Sequence, residues 1–191
     1  MTRGEEVFTI LQSKARSTAS RTGGPAPTQE YLVRHLLESF LDRLVRSEHG
    51  DDFVLKGGIL LAAYGVRRPT KDIDANAINA DVTPEHLTFV VTQLAEVPSD
   101  DGVTFDINSI SIQEIREHAD YPGYRIRMKA SIGPWRGTST WDVSTGDPII
   151  PEPCIVSIDR VLGEPLQLLG YAAETTIAEK AITILERGIT S

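Results

Sequence analysis

The segment FVLKGGILLAAYGVRRPTKDID, running from Phe53 to Asp74, constrains the fold more than any other part of the chain. Phe53, Val54 and Leu55 make a short apolar run of the kind that forms a buried strand. Lys56 follows, and then Gly57 and Gly58, a turn signal that leads into ILLAAYG, enough for a helix turn or two. Pro69 is expected to end that helix. Beyond it, Ile73 alternates with Asp72 and Asp74 in a second expected strand. Side chains at i and i+2 point the same way on a strand, so the two aspartates share one face while Ile73 turns to the core.

That arrangement carries chemical consequences. Two neighbouring carboxylates repel, and a hard divalent cation that completes its shell with water and substrate phosphate relieves the repulsion. Magnesium, with manganese as the alternative, suits oxygen donors better than zinc does. The glycines lack β-carbons, which lets phosphate oxygens approach backbone N–H groups at the start of a helix. Lys56, Arg68 and Thr70 sit close by in sequence. A triphosphate at Gly57 and Gly58 with a metal at the next strand has the layout that phosphoryl or nucleotidyl transfer requires. Each signal alone is commonplace, whereas the ordered set of strand, Gly-Gly, short helix and R-x-T-x-D-x-D is specific.

The rest of the chain reads as mixed α and β. A helix is expected over Glu5 to about Arg16, then a polar linker STASRTGGPAPT, then a second helix capped by Thr28 with Leu36, Leu37, Phe40, Leu41, Leu44 and Val45 at helical spacing. A helix capped near Thr83 follows the acidic strand. Strand-like runs cover Val103 to Ile107, Tyr124 to Ile132 and Thr138 to Val143. The tail passes through a Leu-rich stretch to an amphipathic helix marked by Ile177, Ala181, Ile184 and Leu185. Expected units are an N-terminal helical segment over 1–50, a core over 51–150, and the start of a C-terminal helical region over 151–191.

Composition excludes some classes. With 27 acidic against 19 basic residues the net charge is -8, which argues against coating nucleic acid through bulk charge. No apolar run is long enough to span a membrane, and the charged start does not read as a secretory signal, so the cytoplasm is the expected compartment. Cys154 is the single cysteine, which rules out an internal disulfide and a thiolate zinc cage, and it is expected to be a small packing residue.

The Phe53 to Asp74 run, together with WDVSTGD and ETTIAEKAITILERG, resembles the AbiEii family of nucleotidyltransferase toxins, including its MenT-like branch. The resemblance covers most of the chain from about Thr28 onward. It implies an α+β nucleotidyltransferase fold of the polymerase beta-like kind, with a mixed sheet, flanking helices and the N-terminal helical segment. It also implies magnesium dependence, a nucleoside triphosphate substrate, a cognate antitoxin and, for the MenT branch, transfer of nucleotides to the 3′ end of tRNA. By the same resemblance Gly57 and Gly58 seat the nucleotide and Asp72 and Asp74 hold the metal. Lys180 corresponds to a phosphate-contacting lysine, and Asp142 to a third carboxylate that acts as metal ligand or general base. Two departures stand out: Ile59 replaces the Ser or Thr that often follows the glycines, and the chain ends at Ser191 before the family's further Arg-Asp pair. Alternatives are a small-molecule nucleotidyltransferase and a shortened, inactive nucleotide or antitoxin binder.

Other residues carry ordinary expectations. His35, His49, His86 and His118 show no ligand-like spacing and are expected at surfaces or edges. Trp135 and Trp141 are expected to pack in the core or at its rim, with stacking on a base as the alternative. Along YRIRMKASI, Tyr124, Ile126, Met128 and Ala130 share one face and Arg125, Arg127 and Lys129 the other, which reads as a half-buried strand with a solvated basic side, guidance of a tRNA backbone or the triphosphate tail being the alternative.

Overall fold

The computed structural model describes residues 1–66, 69–115, 123–146 and 149–187. Arg68 and His118 lie outside the described residues. The fold is α+β, and its described strands form one mixed seven-stranded sheet.

Helix α1 spans Arg3–Thr22 and opens on a capping box in which Thr2 Oγ1 accepts from the Glu5 N–H and the Glu5 carboxylate accepts from the Thr2 N–H. It runs past the expected end near Arg16. Ser20 and Thr22 turn their hydroxyls back onto the carbonyls of Arg16 and Thr18, bonds that sit within the helix, and Gly23 stops it in the left-handed region. Helix α2 spans Thr28–Arg46, with Pro27 at its N-cap and no side-chain cap, so Thr28 is the first helical residue and not the cap expected of it. Leu32 and Leu36 of α2 pack with Val7 and Leu11 of α1, while Leu37, Phe40, Leu41 and Leu44 join the sheet's core.

Strand β1 (Phe53–Lys56) leads directly into α3 (Gly57–Leu60) and a 3-10 turn over Leu61–Tyr64. Gly65, at φ 77°, ends this stretch before Pro69 is reached. Strand β2 (Ile73–Ala77) pairs antiparallel with β1. Helix α4 (Pro84–Glu96) is capped by Thr83, whose Oγ1 accepts from the His86 N–H. Strands β3 (Val103–Glu114), β4 (Gly123–Ile132) and β5 (Trp135–Thr145) form an antiparallel meander, and β5 lies parallel to β2. β3 continues well past Ile107 because an irregularity between Asp106 and Ser111 resets its register with β4.

The region over 151–191, expected to open a helical unit, instead supplies β6 (Cys154–Ile158) and β7 (Leu166–Gly170) before helix α5 (Ala173–Arg187). Val156 and Ile158, like Leu166 and Leu168, alternate with more exposed residues, the period-2 pattern of a strand. The sheet order is β3-β4-β5-β2-β1-β7-β6, with β7 parallel to β1.

Helices α1, α2 and α4 contact the sheet around a core that includes Ile73, Ala75, Ile126, Met128, Trp141 and Val143. Trp141 is 1% exposed, with ring centroids 4.7 Å from Phe53 and 5.4 Å from Phe40. The indole thus ties α2 to β1 and β5, the packing role expected for it. Arg43 of α2 is buried in an ion pair with Asp101, which binds the N-terminal helices to the core rather than leaving them apart. Two histidines depart from expectation: His35 and His49 are buried. Their rings are held by the Asp101 carbonyl at 2.9 Å and by Gln93 and Asp52 at 2.7 and 3.2 Å, bonds that let a polar ring leave water. Cys154 is exposed on edge strand β6 instead of packed. On α5, Ile177 is 68% exposed. Among the described residues no helix is long and apolar enough to cross a membrane.

Replacing Trp141 by Ala leaves a cavity where three elements meet. The expected loss is about 3–5 kcal/mol of unfolding free energy, read from urea denaturation.

Candidate active site

The end of β1, the glycine turn and the start of β2 come together around one carboxylate. Gly57 sits at φ 68°, the left-handed region that glycine alone enters at no cost. A β-carbon built there would lie 1.9 Å from Asp74 Oδ2. The backbone N–H of Gly58 hydrogen-bonds Asp74. The pair of glycines therefore does something the sequence alone does not reveal: it admits the carboxylate of the facing strand into the turn. Because α3 is a single turn before a 3-10 segment, the helix contributes little dipole of its own.

Register across the sheet places the other groups. Asp74 is the partner of Lys56 on β1 and of Asp142 on β5, and Asp142 is the partner of Arg125 on β4. One row thus crosses four strands in the order Lys56, Asp74, Asp142, Arg125, with two acids flanked by two cations. Asp72, just ahead of β2, is fixed by Thr70, whose hydroxyl reaches Asp72 Oδ1 at 3.0 Å. Thr70, expected at the nucleotide, here orients a carboxylate.

The electrostatics follow from this crowding. Burial, then the neighbouring charges of Asp72 and Asp142, raise the pKa of Asp74 above the ordinary carboxylate value, against the Gly58 N–H and Lys56, which lower it. Asp142 is already neutralised: Arg125 holds it with a two-toothed grip, Nε to Oδ1 at 2.7 Å and Nη2 to Oδ2 at 2.6 Å. Among the described residues no three His, Cys, Asp or Glu side chains converge as a ready metal cage. Asp72 and Asp74 remain as hard oxygen donors whose mutual repulsion a divalent cation would relieve, with room for water and phosphate in its shell.

Lys56 donates to Ser144 Oγ at 2.9 Å, Ser144 donates to Asn76 Oδ1 at 3.3 Å, and Glu179 of α5 lies 3.9 Å from the ammonium. This network holds the lysine beside the acids. Lys180, the next residue of α5, is exposed, and Glu179 is the α5 residue that lies near Lys56. Arg125, Asn76, Ser144 and Glu179 are site residues that the sequence alone does not single out. Arg125 belongs to an alternating basic strand, and only the register of β4 on β5 puts it against Asp142.

This glycine turn facing an acidic strand, on a mixed sheet flanked by helices, is the nucleotidyltransferase fold. The profile of the family described as "Nucleotidyl transferase AbiEii toxin, Type IV TA system" matches residues 39–191, and the chain belongs to that family. No curated protein matches it in sequence. Two solved structures share the fold. The crystal structure of JHP933 from Helicobacter pylori is 17% identical, with a TM-score of 0.51 over 80% of this chain and 56% of that one. The crystal structure of a putative nucleotidyltransferase from H. pylori is also 17% identical, with a TM-score of 0.51 over 80% of this chain and 57% of that one. The chain therefore spans a little over half the length of the structures it matches.

Two outcomes test the geometry. Gly57→Ala places a methyl group on Asp74 and forces a left-handed alanine, the backbone alone costing about 1–2 kcal/mol. A lowered melting temperature is expected, and an unchanged one contradicts the packing described. Folded Asp74 keeps its proton to higher pH than the unfolded chain does, so its contribution to stability is full below the ordinary carboxylate range and is lost as pH rises through the elevated value. In chelator, Asp74→Asn should therefore be the more stable protein at neutral pH, because the amide carries no charge to bury beside Asp72 and Asp142. The urea midpoints of the two proteins should converge as the pH falls, and a gap that stays constant with pH contradicts the crowding described.

Proposed function

We propose that this chain is a magnesium-dependent nucleotidyltransferase toxin that transfers nucleotides from a nucleoside triphosphate to the 3′ end of tRNA. The observation that carries the reading is the position of Asp74, seated against Gly57 and bonded to Gly58, with Asp72 and Asp142 close enough to raise its pKa. Asp72 and Asp74, with Asp142 held aside by Arg125, offer the hard oxygen donors that a magnesium–triphosphate takes. Family membership supports the reaction class and implies an antitoxin partner.

Asp72 and Asp74 would hold the magnesium, which, when bound, neutralises phosphate oxygens. Gly57 seats the Asp74 carboxylate, and Lys56, held near the acids by Ser144, would add positive charge toward the triphosphate. The acceptor's terminal hydroxyl attacks the α-phosphorus, an O–P bond forms, the bond to the bridging oxygen of pyrophosphate breaks, and the hydroxyl proton passes to Asp142. For that transfer Asp142 must present an oxygen lone pair beyond those that face Arg125. Thr70 serves by orienting Asp72. Lys180 lies outside this set in the geometry described, and its assignment to phosphate rests on the family motif.

The reaction is tested by incubating the chain with bulk tRNA, labelled triphosphate and magnesium. Label should enter RNA with the native chain and fall at least a hundredfold with Asp72→Ala or Asp74→Ala, in line with loss of charge stabilisation at the reacting phosphate. Equal incorporation by those variants sinks the reading, and label in small molecules instead of RNA moves the acceptor to another class.

A further inference from the structure

The sheet's two faces differ in cover. Helices pack on the side carrying Ile126, Met128, Trp141 and Val143. On strands β3, β4 and β5 the opposite side is polar throughout its regular positions. Arg125, Arg127 and Lys129 stand on β4 in register with Asp142, Thr140 and Thr138 on β5 and with Gln113, Ser111 and Asp106 on β3. Burial alternates accordingly, with Ile126, Met128 and Ala130 enclosed, Lys129 open to solvent, and Arg125 and Arg127 half-buried. The same parity places Trp135 and Trp141 on the helix side, away from this surface.

Three cations at i, i+2 and i+4 form a line whose members are about 6.7 Å apart along the strand. The line begins at Asp142, inside the proposed catalytic row, and runs away from it. In a chain of net charge -8, such a line on a face that no described helix covers concentrates positive charge locally. Among the described residues two acids share the face: Asp142, paired with Arg125, and Asp106, which stands opposite Lys129 and whose Oδ1 accepts from the Asn108 N–H. Arg127 donates to Gln113 Oε1 at 3.4 Å, a neutral partner that does not compensate the guanidinium charge.

We propose that the open face of β4, through Arg127 and Lys129, is the track on which the acceptor nucleic acid lays its phosphates as it leads its end to the Asp72–Asp74–Asp142 cluster. This rests on the nucleotidyl-transfer reading above and adds to it the surface that receives the polyanion. The contacts are to phosphate, so they set register and orientation and are indifferent to sequence. Each cation that neutralises a phosphate releases counterions condensed on the nucleic acid, which makes the interaction salt-dependent.

The test is binding of bulk tRNA to the full chain over a salt series, with triphosphate binding measured in parallel. The double reversal Arg127→Glu with Lys129→Glu should weaken tRNA binding at least tenfold and lower the slope of log affinity against log salt by about 2. Triphosphate binding should stay unchanged. The neutral pair Arg127→Gln with Lys129→Gln, checked for an unaltered melting temperature, should fall between. Unchanged affinity and slope in both pairs overturn the track while leaving the catalytic reading intact. Loss of tRNA binding in these variants, alongside a native chain that binds no triphosphate, keeps the track and removes the catalytic reading. Binding of poly-glutamate with no binding of tRNA overturns the proposal in favour of an acidic protein partner.

Discussion

The fit of the Asp74 carboxylate into the turn at Gly57 and Gly58 is the contact from which the site is organised. A residue with any side chain at position 57 would meet that carboxylate, and one without left-handed freedom would not make the turn. The contact joins the end of β1 to β2, and β2 carries the pairing on to β5 and so to Asp142. Local backbone permissiveness thus fixes the spacing of groups that are distant in sequence.

Electrostatic tension is built into the same contact. Asp74 sits partly out of water beside two other acids, an arrangement that disfavours its charged form. The flanking cations offset part of it. Arg125 takes up Asp142 almost completely, while Lys56 is shared among Ser144, Glu179 and the acids. The result is graded: one carboxylate satisfied by an arginine, and two left for a ligand.

Much of this is legible in the residues alone. The strand, glycine turn, short helix and acidic strand follow from apolar runs, glycine placement and i, i+2 parity, all of which are local. Trp141 as a core residue and the alternation of Arg125, Arg127 and Lys129 follow in the same way. What escapes is non-local or marginal. The strands at Cys154–Ile158 and Leu166–Gly170 are short, and the period-2 signal in them is hidden by adjacent apolar residues such as Ile155 and Leu169. The partnership of Arg125 with Asp142 depends on strand register, which no local pattern encodes. Burial of His35 and His49 depends on acceptors supplied from elsewhere in the chain, Asp101 and Gln93. The bond from Thr70 to Asp72 depends on the backbone turn ahead of β2, which the spacing of the two residues does not reveal.

The proposed reaction requires the carboxylates on either side of Ile73 to hold a divalent cation against nucleotide phosphates. The direct measurement is anomalous scattering from crystals grown with manganese and a non-hydrolysable triphosphate. A manganese peak bridging Asp72 and Asp74, with triphosphate density against Gly57 and Gly58, is the predicted result. Ordered ligand and metal bound at another place, with that position empty, would contradict it.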